Sequence, residues 1–588
     1  MKRRKIVSAV AMLALGMLGA LPETEAMLRG NFDSFYSRKV VYFHGEQVPT
    51  SELSPDRMKG IGSSFFSTGV REIPKEYYQN WRLAYVAFEP GSQLQAMGTS
   101  AFANSSVQSL CIPASVEKIE RNCFAFCKHL FCVTFETGAR VQELENGAFV
   151  RSSLSFIAIP SSVEVIGERC FQECASLIGV TFETGSRLRI IKKLAFSKIG
   201  ASSICIPASV EELGSECFAD CDSLMDFTIE NDSELQVMGE QVFVGTGVSS
   251  FLVPANLQEL GHCCFAFCEN LFSITFEAGS LMERVGGWAF WNSCLQSIVF
   301  PASVQELASR CFDGCWSIGQ VAFADGSHLA RIEKEAFFGS GLRSIALPES
   351  VEVLAVHCFS GCHSLSSVTF EAHSRLTTIM EGAFDDSSLS SILLPRNVRV
   401  LEAYCFARCF SLRGVAFADD SHLTRIEKEA FLCSGLESIV LPRSIEVLAA
   451  RCFAECRSLR SVIFEEGAQP TRIEKGAFSN SGLRSFIVPA SVEALGGWCF
   501  ADCSCLREMT FESGSQLARV AEYTFWSTSL LSVVLPRSVE VLAARCFAEC
   551  RSLRSVTLDA SFRSVRIEEE AFENSDLQSV TIGEPGGS

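Results

Sequence analysis

Apolar residues recur in a fixed order along most of this chain. Leu436, Ile439 and Leu441 lead into Pro442; Leu459, Val462 and Phe464 then follow the Cys-Phe-x-x-Cys motif that begins at Cys452. The last two apolar residues of each set stand two apart, the period of a strand. A proline such as Pro442 or Pro489 lacks an N–H, so it ends the ladder and turns the chain out of the sheet. A second apolar set follows as Ser-Val-Glu-x-Leu, for example Val539 and Leu542, and then a phenylalanine that plugs the interior.

The order repeats without a break. Cys-Phe-x-x-Cys begins at Cys123, Cys170, Cys217, Cys264, Cys311, Cys358, Cys405, Cys452, Cys499 and Cys546, always 47 residues after the previous copy. A second phenylalanine, usually after alanine, keeps the same step from Phe102 to Phe572. From Phe102 to Phe124 is 22 residues and from Phe124 to Phe149 is 25, so two unequal coils alternate. One coil cannot bury such a set of side chains alone, whereas stacked coils can. The pattern predicts a mainly β solenoid, right-handed by strand twist and crossover preference. Strands ~4.8 Å apart would give a stack of roughly 100 Å.

The consensus Leu-x-x-Ile-x-Leu-Pro-x-Ser-Val-x-x-Leu-x-x-x-(Ala/Cys)-Phe-x-x-(Cys/Ser) resembles the BspA-like, or Treponema-type, leucine-rich repeat over about residues 102 to 580. The resemblance implies a right-handed leucine-rich repeat solenoid and a surface or secreted binding role, often adhesion. It implies no catalytic residues. The strict alternation of short Cys-Phe and long Ala-Phe coils departs from the family pattern.

The ends of the chain read differently from its middle. Residues 1–26 open with Lys-Arg-Arg-Lys, continue apolar to Leu21 and place Thr24 and Ala26 before a cut, which is a secretory leader. Residues 27–95 read as an N-terminal cap with degenerate repeats, 96–582 as the solenoid and 583–588 as a short tail. That tail is too short to cover an open coil edge, and an exposed edge invites pairing, including self-association through the uncapped C-terminal coil. The formal charge of −18 becomes −20 once the leader's four basic and two acidic residues are gone. Such acidity disfavours nucleic acid and anionic membrane as partners. No run after the leader is long enough to insert in a membrane, so the localisation expected is secreted or cell surface. The 47 Phe against 7 Tyr and 6 Trp mark a repeated core position rather than a binding surface rich in tyrosine and tryptophan.

Candidate chemistry dissolves into the repeat. Twenty-seven cysteines in a secreted chain ordinarily point to disulfides. Here the sister coil holds Ala101, Ala148 or Ala336 where one coil has its first Cys, and Ser105, Ser152 or Ser340 where it has its second. Residues that cannot form a bridge fill the same slots, so the cysteines are expected to be buried structural thiols. His357, Cys358, Cys362 and His363 have a zinc-like ligand set, but the histidine slots hold Asn122, Arg310, Lys128 or Trp316 in other coils, and no metal or other cofactor is expected. Glu333, Glu427 and Glu474 look like carboxylates for sugar hydrolysis; repeated coil after coil, they read as a solvated face. The chain is not expected to be an enzyme.

One stretch of surface exceeds what burial requires. Between the two inward residues of the proline-terminated strand stand Cys111, Ala158, Cys205, Leu252, Val299, Ala346, Leu393, Val440, Ile487 and Val534, all apolar. The sister strand mostly has threonine in that slot, as at Thr275, Thr369 and Thr510. Branched side chains favour strands whether or not anything binds, yet a contiguous apolar patch on a soluble protein usually marks a contact surface. Leu252, Val299, Leu393, Val440, Ile487 and Val534 are therefore the candidate partner-binding residues, for another protein, an extracellular-matrix component or a second copy. The alternative is a rigid spacer or surface-layer component with no specific ligand.

Overall fold

The computed structural model describes residues 41–43, 46–48, 63–559 and 565–583. The expected leader at 1–26, most of the segment 27–62 and the expected tail beyond residue 583 lie outside them. Among the described residues there is no helix; the chain is a parallel β-solenoid of about 22 turns. Residues Val41–Phe43 and Glu46–Val48 form a separate antiparallel pair. The chain groups into two compact units, Met1–Ser209 and Val210–Ser588. The division leaves no mark in the 47-residue step, because both units are built from the same coil.

Each coil contributes a long strand, a two-residue strand and a tight turn. In the second unit Ser438–Leu441 pairs in parallel with Ser461–Phe464, and Val447–Leu448 with Arg472–Ile473. In the first unit Ser109–Ile112 pairs with Cys132–Phe135, and Lys118–Ile119 with Glu143–Leu144. The proline-terminated strands alternate cleanly: Ile439 and Leu441 are buried, Ser438 and Val440 exposed. The sister strands do not finish the alternation. Val462 is buried, but Phe464 is only half-buried, because the chain there runs into a glycine turn at Gly467 (φ +84°) rather than into proline.

The turn after the short strand escapes helix formation by alternating its hydrogen bonds. Around Cys452-Phe453, the amides of Arg451, Phe453 and Glu455 donate to Lys475, Ala477 and Ser479 of the next coil at 2.8–2.9 Å. Those of Cys452, Ala454 and Cys456 close four-residue turns within their own coil. Arg451 and Glu455 consequently sit at positive φ, 57° and 60°. This conformation costs an L-residue roughly 1–2 kcal/mol, and the bonds to the next coil offset it.

The phenylalanines stack inside the turn ridge. In the first unit Tyr78 takes the anchor slot and lies 5.3 Å from Phe102, followed by Phe124, Phe149, Phe171 and Phe196 at 5.1–5.3 Å. In the second unit an unbroken stack runs from Phe218 to Phe572, with adjacent rings 5.0–5.8 Å apart. The spacing follows from the coil rise and suits offset stacking. Residues 63–95 already belong to the array: Ser63–Phe66 pairs with Tyr85–Phe88, and Glu72–Ile73 with Ala96–Met97. At the other end Ile567 and Val580 are exposed, whereas Leu542 and Val556, their partners in register, are fully buried.

Candidate functional site

The register places the sequence-predicted stripe residues on one face. In the second unit Leu252 stands beside Thr275, Val299 beside Ala322, Leu393 beside Ala416, Val440 beside Ile463, Ile487 beside Thr510 and Val534 beside Thr557. The six candidates are 47–61% exposed, while the residues flanking each of them in its strand are either buried or polar. In the first unit the same slot holds Cys111 and Ala158, both half-buried, and the exposed Cys205. The face is therefore more strongly apolar in the second unit.

A second exposed slot, just ahead of the sister strands, follows the same step but was not read from the sequence. Directly after the leucine that precedes each sister strand come Phe131 and Ile178 in the first unit, and Met225 and Phe272 in the second, all exposed. From the seventh copy on, this slot holds Arg413, Arg460, Arg507 and Arg554, also exposed. Arg554 pairs with Asp576 at 3.0 Å. The signal was present: the slot is one residue past an obligate core leucine, and its chemistry changes from apolar to cationic along the chain.

The twenty motif cysteines are all buried and unbridged. The second Cys of the motif bonds to the preceding coil. Cys456 Sγ donates to the Phe431 carbonyl at 3.0 Å and lies 3.2 Å from Ser434 Oγ, and Cys503 repeats this with Phe478 and Ser481. Burial pushes the Cys456 thiol up to about 12, against the hydrogen bond from Ser434. Burial also holds Cys452 well above the ordinary thiol value, with neighbouring Cys499 and Cys456 adding to it. These are poor nucleophiles and poor metal ligands. Among the described residues no three His, Cys, Asp or Glu side chains converge as a metal set. Cys362 donates to the Phe337 carbonyl rather than turning toward His357 and His363.

The recurrent glutamates are not simply a solvated face. Glu474 Oε2 accepts the Ala450 amide at 3.1 Å, and Glu120 and Glu145 accept the Thr99 and Arg121 amides in the same manner. A second series stands after the sister strand: Glu136, Glu277 and Glu465 accept the amide of the residue following the proline in the preceding coil, at 2.9–3.0 Å. Both series fasten one coil to the next, since a carboxylate is a strong acceptor for an otherwise unpaired amide.

With the coil, its ladders and its outward face defined, the class is a leucine-rich repeat solenoid. The chain matches the model of the BspA type leucine rich repeat region (6 copies) over residues 58–178, 142–271, 236–366, 357–470 and 471–585, and it belongs to that family. Among solved structures it is similar to a leucine-rich repeat protein from Bacteroides ovatus, at 23% identity over 71% of this chain and 84% of that one, with a TM-score of 0.38. It is also similar to a leucine rich cell surface protein from Faecalibacterium prausnitzii, at 19% identity over 63% and 83%, TM-score 0.29. A third is the pneumococcal vaccine antigen PcpA, at 19% identity over 64% and 85%, TM-score 0.34. Comparison with curated proteins gives no match. Among the described residues no helix is long and apolar enough to cross a membrane.

Proposed function

We propose that the protein is a secreted or surface-borne binding module that docks a protein partner on the long-strand face of its second unit. The observation that carries this reading is the stripe Leu252, Val299, Leu393, Val440, Ile487 and Val534, each roughly half exposed although sister strands fill the same slot mostly with threonine. Burying these side chains against a partner would recover roughly 25 cal/mol per Å² of apolar surface. The exposed arginines just ahead of the sister strands, such as Arg460 and Arg507, would supply orientation and partner choice rather than most of the affinity. The recurring carboxylates and thiols are engaged in holding coils together, which supports a binding rather than a catalytic role.

The test is to replace Leu393, Val440, Ile487 and Val534 together with threonine. The fold tolerates threonine on threonine, since Thr557 and Thr581 are neighbours in register with hydroxyls 3.2 Å apart. Purified wild-type and variant protein are used to capture partners from extracellular-matrix and cell-surface extracts. The reading expects a partner retained by the wild type and lost by the variant, with nearly the same melting temperature. Equal capture by both would defeat it, and so would a collapse in stability, which would make the stripe core. A rigid spacer would give no specific capture with either protein.

A further inference from the structure

A groove of about 400 Å³ opens on the turn ridge of the second unit, among residues of the turns and away from the stripe. Its origin is a local break in the repeat. The second positive-φ slot of the turn carries Asn292, Asp386, Arg408 and Glu455 in nearby coils, but Gly314, Gly339 and Gly361 in three successive coils. The side-chain amide of Asn292 overlies Gly314; above Gly339 and Gly361 the ridge is open, and a Cβ added at either would meet nothing closer than 3.6 Å.

The walls of the groove combine two kinds of surface. Trp316, 70% exposed, and Phe338 present aromatic rings. On the other side Asp385 is only 5% exposed and pairs through one carboxylate oxygen with Arg408. Its other oxygen, Oδ1, is buried without a hydrogen-bond partner, and so is Nδ1 of His357, whose ring fills the space over Gly382. Neither atom is satisfied within the protein although both side chains line the groove, and a buried polar atom left without a partner is destabilising.

From this arrangement we infer that the groove is a saccharide-binding site, distinct from the protein-docking face. A sugar brings a C–H face for the ring of Trp316 and hydroxyls that both donate and accept, matching Asp385 Oδ1, His357 and the guanidinium of Arg408. A cationic ligand would meet Arg408, and an anion would meet Asp385 and Asp386. A neutral polyol meets neither conflict, and the volume falls in the range of small-ligand sites.

The test is saturation-transfer NMR on the full protein with methyl β-glucoside, methyl β-galactoside, N-acetylglucosamine and lactose as probes. At least one of them is expected to bind saturably. Trp316→Ala should weaken it about tenfold or more, the effect of ~1.4 kcal/mol. The paired variant Gly339→Asn with Gly361→Asn should abolish it by filling the groove. That pair keeps the fold, because Asn104, Asn292, Asn480 and Asn574 occupy the same turn slot at φ +51° to +54°, close to the +60° and +68° of Gly339 and Gly361. The inference fails if none of the four sugars binds, if binding survives the asparagine pair, or if tetramethylammonium binds while the sugars do not.

Discussion

At the scale of single residues, burial sets the protonation of the motif thiols. In the folded chain Cys315, Cys362, Cys409 and Cys456 are pushed up to about 12 by burial, whereas an unfolded thiol ionises near 9. Below about pH 9 both states hold the proton and the full stabilisation is present. Between about pH 9 and 12 the unfolded chain loses protons that the folded chain keeps, so stability falls as pH rises. Melting temperatures measured across that window should drop, and drop less in variants with motif cysteines replaced by the Ala and Ser of the sister coil. A flat profile would mean the thiols are bridged or accessible. At neutral pH a thiol reagent should modify at most Cys111, Cys132, Cys205, Cys263, Cys294, Cys433 and Cys505, the seven that are not buried, and reach the rest only after denaturation.

One coil is the next scale, and there the sequence showed the apolar skeleton and missed the polar one. Alternation and the position of proline identified Ile439 and Leu441 as inward and Val440 as outward, because a strand of period two leaves no freedom once one face is buried. Glu474 looked like part of a solvated face, since a carboxylate that caps the amide of another coil lies 24 residues away from it in sequence. The serine of Pro-x-Ser-Val was equally opaque; Ser444 Oγ donates to the Leu423 carbonyl at 2.7 Å. Paired positive-φ residues such as Arg451 and Glu455 gave no signal either, because the bonds that compensate them lie in the next coil. These pieces yield a graded expectation. Phe453→Ala removes a ring from the stack and should cost about 3–5 kcal/mol. Cys452→Ala with Cys456→Ser, which recreates the sister coil, should cost less than about 1.5 kcal/mol. Urea titration of the two variants measures the difference, and equal losses would contradict the view that the slots are interchangeable.

The whole molecule carries its candidate sites as departures from perfect repetition. A feature present in every coil, such as the phenylalanine of the stack, serves the coil. The apolar slot from Leu252 to Val534 is different, since nearly half of the coils fold with threonine or alanine there. The groove at Gly339 and Gly361 is different again, being confined to adjacent turns. The stripe was legible in the sequence because its residues stand between two residues known to face inward. The groove was not, because it depends on side chains missing at Gly339 and Gly361 and on Trp316, His357 and Asp385 arriving from three separate coils. His357 and His363 have a zinc-like spacing with Cys358 and Cys362, yet Cys362 donates to the Phe337 carbonyl of the preceding coil.

The most direct measurement of the central claim is site-specific photo-crosslinking of the protein to its captured partner. A benzoylphenylalanine placed at Val440, in the exposed stripe, should form a crosslinked species that identifies the partner. The same probe at Asn480, on the turn ridge, should form none. Crosslinks from position 480 with none from position 440 would move the docking surface off the strand face and contradict the account.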